Sequence, residues 1–152
     1  RWAGGAPLRV YEEGARGPSE PAGGAVSYAR DGGRSYWTAA GAGFEEWLAV
    51  DEGLAHGDRV LARWRVEGHT LREVPERGGV HVLDTTGRAV AYVSAPEAWT
   101  ADGDRLVPTL SVEGDAIVLR LDADGEAVLV DPMWLRPGAL VSRHGSLQMG
   151  HG

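Results

Sequence analysis

The chain has 152 residues, 43% of them hydrophobic, with a formal net charge of −7 and a pI near 5.2. That is enough apolar content for one domain with a packed core, and the acidic balance disfavours nucleic acid and anionic lipid surfaces as partners. Cys and Lys are both absent, which excludes disulfides, thiolate catalysis, Cys-ligated zinc, lysine Schiff bases and Lys–Asn cross-links, and no apolar run is long enough to span a bilayer as a helix.

In chain order, residues 1–33 read as a coil-rich lead-in with short strands. Leu8-Arg9-Val10-Tyr11 and Ala25-Val26-Ser27-Tyr28 alternate as strands do, and the Gly- and Pro-rich stretch Gly14–Pro21 between them predicts a loop or linker. Arg1 in place of an initiator Met leads to the expectation of a processed piece. Residues 34–135 carry the regular pattern. Phe44–Val50 fits either a short helix or a strand; its flanking turns favour a strand with Phe44, Glu46, Leu48 and Val50 on one face and Glu45, Trp47 and Ala49 on the other. Val60–Gly68 is the cleanest strand, with Ala62, Trp64 and Val66 inward and Arg63, Arg65 and Glu67 toward water.

Leu71–Val74, Val80–Leu83, Ala89–Val93, Leu106–Val112, Ala116–Leu121 and Ala127–Val130 complete the set, punctuated by Asp84-Thr85-Thr86-Gly87, Ala101-Asp102-Gly103-Asp104 and Asp122-Ala123-Asp124-Gly125. Strands every eight to twelve residues with Asp-Gly turns point to an all-β, two-sheet antiparallel sandwich of eight to ten strands, almost without helix. Pro108 lacks an N–H and marks an edge strand or bulge. Asp131-Pro132 reads as the step that stops the last strand, with the Asp side chain capping nearby N–H groups. From 136 to 152 the pattern decays into an extended tail or the start of a following repeat.

Val128-Leu129-Val130-Asp131-Pro132-Met133-Trp134, together with Gly43-Phe44-Glu45-Glu46-Trp47, resembles a β-domain of large secreted proteins from high-GC bacteria such as myxobacteria, where it precedes kelch, FG-GAP or Rhs-type repeats. The likeness covers roughly Val26–Trp134, and Gly138–His144 is similar to the opening of a kelch blade. The resemblance implies a secreted or cell-surface location and a structural or adhesive role. It brings no catalytic residue.

Asp122–Glu126 alternates carboxylates with a Gly, but offers too few oxygens for a calcium loop and reads as a hairpin turn. His56, His69, His81, His144 and His151 show no metal-ligand spacing, and no cofactor motif is present. Of six Trp residues, Trp64 belongs in the core and Trp47 and Trp134 at its seam, which leaves Trp37 and Trp99, both beside turns, as candidate ligand-stacking rings. The expected function is a non-catalytic structural or interaction module that orients a repeat array, or joins protein partners or copies of itself through edge strands. Pro137, Leu140, Val141 and His144 of the tail are the candidate assembly residues. A carbohydrate-binding module, marked by several aromatic rings on one plane, is the second expectation. Autoprocessing at His144-Gly145-Ser146 or His151-Gly152 is the third.

Overall fold

A computed structural model describes residues 8–41 and 43–136. Among them run β1 (Arg9–Glu12), β2 (Ala15–Ala22), β3 (Ala25–Arg30), β4 (Gly33–Ala40), β5 (Gly43–Val50), β6 (Val60–Glu67), β7 (Thr70–Val74) and β8 (Gly79–Leu83). These are followed by β9 (Ala89–Val93), β10 (Glu97–Thr100), β11 (Arg105–Leu106), β12 (Thr109–Glu113), β13 (Ala116–Arg120), β14 (Val128–Asp131) and β15 (Met133–Leu135). No helix occurs among the described residues, and all pairings are antiparallel in two sheets. The smaller sheet has the order β1-β6-β13-β12; the larger has eleven strands along β11-β10-β14-β5-β15-β9-β8-β7, with β4, β3 and β2 added beyond β5.

The two-sheet sandwich expected from the Asp-Gly turns is therefore the fold, with more strands than the spacing predicts. Prolines and bulges account for the extra count. Pro108 divides the run 106–112 so that β11 joins the larger sheet and β12 becomes an edge of the smaller one. Ser94–Pro96 likewise divides β9 from β10. Residues 8–33 supply three strands, and Gly14–Pro21 falls mostly in β2 instead of forming a loop. With Gly14 at φ +84, a tight turn leads into β2, whose register with β3 shifts between Arg16 and Glu20. Pro18 and Pro21 are tolerated there because β2 has a neighbour on one side only.

Asp131-Pro132 does not end the sheet. Val130 pairs with Leu48 and Met133 with Glu45, so β14 and β15 follow one uninterrupted register along β5, and the Pro132 carbonyl accepts the Glu46 N–H at 3.1 Å. On the opposite side, the pairings Ala98–Val130 and Val93–Trp134 differ by one residue in register. The carbonyl and the ring nitrogen of Pro132 both face β5, so the Pro132–Glu46 pair keeps one ladder bond where an ordinary residue would make two.

The core lies between the sheets. Trp64, Val66, Ile117 and Leu119 of the smaller sheet meet Leu48, Val80, Val82, Val93 and Val130 of the larger, all fully buried. Burial of each such aliphatic side chain contributes roughly 1.5–3 kcal/mol. β6 alternates as its sequence predicts, Trp64 and Val66 inside and Arg65 and Glu67 outside. One flank of the sandwich is closed where β7 packs against β12 and the Glu73 carboxylate accepts the Val112 N–H at 2.9 Å. Among the described residues the other flank, between β1 and the β2–β3 hairpin, is open.

Candidate functional site

Alternation along the strands turns an unusual set of polar side chains inward at the open flank. Glu12 on β1, Tyr28 and Arg30 on β3, Ser35 and Trp37 on β4 and Glu46 on β5 all face the space between the sheets. The Glu12 carboxylate, 2% exposed, accepts hydrogen bonds from the Tyr28 hydroxyl and from Ser35 Oγ at 2.9 Å. Arg30, 3% exposed, places Nε 3.3 Å from Glu12 Oε1, an ion pair by distance without hydrogen-bond alignment, while its Nη2 donates to the Leu61 carbonyl at 3.0 Å.

Trp37 Nε1 donates to the Tyr28 hydroxyl at 2.6 Å, and Trp64 Nε1 donates to Glu46 Oε1 at 2.9 Å. Glu46 is 0% exposed. Burial, then the charge of Glu12 and a hydrogen bond with it, push the Glu46 carboxyl well above the usual carboxylate range, with Ser35 and Arg30 opposing. This environment favours the protonated form of Glu46, which can donate toward the Glu12 carboxylate. Burial and the Glu12 charge raise the Tyr28 phenol as well, so it too stays protonated.

Above this network lies a cleft of about 470 Å³. Leu8, Val10 and Glu12 form one wall, Ser19, Val26 and Tyr28 another, and Trp37, Phe44 and Trp134 the floor. The Trp37 and Trp134 rings lie 6.1 Å apart, and Trp134 stands edge-on to Trp64 at 6.3 Å. Because Glu12, Tyr28 and the Trp37 N–H already satisfy one another, the surface left to an occupant is chiefly apolar. The buried Trp134 N–H has no partner among the described residues.

The opposite face of the larger sheet carries a second aromatic group. Trp47 on β5 and Trp99 on β10 reach across β14, with ring centroids 6.1 Å apart and planes tilted by 32°. Tyr36 stands directly across from Trp47, and Leu129, 37% exposed, directly across from Trp99. Three carboxyls border the rings: Glu45, Glu97 and Asp131. Glu97 pairs across the strands with Asp131 and forms an ion pair with Arg105 at 3.2 Å. Asp131 hydrogen-bonds Glu45, and burial followed by the charge of Glu45, with Glu97 adding to it, raises its carboxyl to about 8. Its Oδ1 is buried and unpaired, so the expected capping of backbone N–H groups by Asp131 is replaced by a carboxyl pair.

The two candidate stacking residues therefore part company. Trp37 points inward into the cleft, Trp99 outward beside Trp47, and both are half-buried. Trp64 and Trp134 are core residues, 0% and 2% exposed, whereas Trp47 belongs to the outer group. Pro137, Leu140, Val141 and His144, the kelch-like opening and His151-Gly152 lie outside the described residues. Asp122–Gly125 is a turn in which Asp124, at φ +52, donates its N–H to Asp122 Oδ1 at 3.1 Å. Sequence reasoning missed Glu12, Tyr28, Arg30 and Glu46 as a group. One signal was present: Glu46 is in phase with Phe44, Leu48 and Val50, an acid on an apolar face. No family model, curated protein or solved structure matches this chain.

Proposed function

We propose that this domain is a non-catalytic interaction module that takes up an extended segment of a partner chain alongside β1. The supporting observation is a strand edge, without a neighbour among the described residues, beside an apolar cleft. The Glu13 N–H bonds to the Arg63 carbonyl at 2.9 Å, so in the antiparallel ladder the odd-numbered residues of β1 pair with β6. Val10 and Glu12 therefore present their backbone groups to the open side. A strand added there places every second side chain into the cleft over Trp37, Phe44 and Trp134, which joins backbone affinity to pocket specificity.

The other edges are less suited. β2 contains two prolines, β11 has two residues, and β12 has an N–H occupied by Glu73. Glu12, Tyr28 and Glu46 are bound to one another, which supports a structural rather than a catalytic role for these acids. A secreted or cell-surface setting ahead of a repeat array is part of the same proposal, supported by the resemblance across Val26–Trp134.

The test is to screen octapeptides of alternating apolar and polar residues by amide chemical-shift mapping. Shifts at Val10 and Glu12, abolished by Val10→Pro and retained in Val10→Ala, are expected. Val10→Pro removes one donor from the free edge and leaves the β6 ladder intact. Shifts gathered at β7 or β12 instead, or a Val10→Pro variant that still binds, refute the reading.

A further inference from the structure

We propose that the outer face of the larger sheet is a binding platform for an amino-sugar polymer that carries free ammonium groups. This site is separate from the cleft and does not depend on the strand-addition reading. Two features converge on that ligand. Trp47 and Trp99, tilted by 32° at 6.1 Å, make a broad aromatic surface extended by Tyr36, and such surfaces take the C–H faces of pyranose rings.

The second feature is charge. Glu45 from β5, Glu97 from β10 and Asp131 from β14 border the rings; Arg105 of β11 is engaged with Glu97 at 3.2 Å, and Arg34, beside Tyr36 on β4, is held by Ser27 and Glu20. Thr38, opposite Glu45, carries no charge. Burial, and then the charges of Glu45 and Glu97, push the Asp131 carboxyl up to about 8. An ammonium group lying there relieves the repulsion among the carboxyls; a uronic-acid polymer is repelled, both locally and by the net charge of −7. A neutral sugar gains the stacking alone. Charge complementarity thus selects the deacetylated amino sugar among pyranose polymers.

The experiment is calorimetric titration of the whole chain with a glucosamine hexamer and, separately, with the N-acetylglucosamine hexamer, at low ionic strength and slightly acidic pH. The free-amine hexamer is expected to bind about tenfold tighter or more, and to weaken with added salt. Trp99→Ala should weaken both sugars by about tenfold. Glu97→Gln, which preserves shape on an exposed rim, should weaken only the free-amine hexamer. Equal affinity for the two hexamers would mean a neutral stacking surface and overturn the proposal. So would undiminished binding by Trp99→Ala, or no binding of the glucosamine hexamer by protein whose circular dichroism shows it folded.

Discussion

Glu12 and Glu46 are chemically alike and buried within one network, yet their partners give them opposite consequences on substitution. Glu12 faces the buried Arg30 guanidinium, so Glu12→Gln leaves a cation between the sheets without its counter-charge. Breaking a buried ion pair on one side costs about 3–5 kcal/mol, and urea unfolding should show a loss of that order. Burial and the Glu12 charge favour the protonated form of Glu46, so Glu46→Gln puts a neutral amide in place of a neutral acid and can still accept from Trp64 and donate toward Glu12. Its cost is expected to stay within about 1 kcal/mol. A large loss for Glu46→Gln and a small one for Glu12→Gln would invert the assignment of charge within the network.

At the scale of elements, β5 organises the larger sheet, with β4 on one side and both β14 and β15 on the other. The close approach of β15 depends on Gly43: a Cβ there would stand 1.8 Å from the Trp134 carbonyl oxygen. Gly43→Ala must push β15 off β5, and with it Trp134 from the floor of the cleft. A loss of about 3 kcal/mol in chemical unfolding is expected, with altered near-ultraviolet dichroism from Trp134 and Trp37; an unchanged midpoint would show that β15 moves without cost. Strand identity was legible where alternation is clean, as in β6, and in the phase of 44–50, which correctly separated Glu46 from Trp47. It was not legible in β2, because composition reports the local preference of Gly and Pro, whereas an edge position tolerates both. Nor was Asp131-Pro132 legible as mid-sheet, because that depends on β5, far earlier in the chain, pairing with the residues on both sides of the step. The outward pairing of Trp47 with Trp99 and the inward meeting of Glu12 with Glu46 likewise depend on which distant strands become neighbours.

For the whole molecule, the two raised carboxyls contribute stability that falls as pH rises. Glu46 on the inner face and Asp131 on the outer face both bind a proton more tightly when folded than when unfolded. At acidic pH, below the unfolded carboxylate range, both states are protonated and the contribution is complete. As pH rises past about 4 the unfolded chain ionises first, and stability falls until the folded group also ionises. For Asp131 that interval ends near pH 8. Glu113 and Asp84, lowered by their Arg and hydrogen-bond partners, act in the opposite sense at more acidic pH, so the whole-protein profile mixes both directions. Comparison with Asp131→Asn isolates the one group. The variant should lose part of the decline between about pH 4 and pH 8, with its advantage over the parent largest at the alkaline end, measured as urea midpoints across that range. Because the charges of Glu45 and Glu97 add to burial in raising Asp131, a bound polycation that neutralises those two should flatten the parent's profile in part.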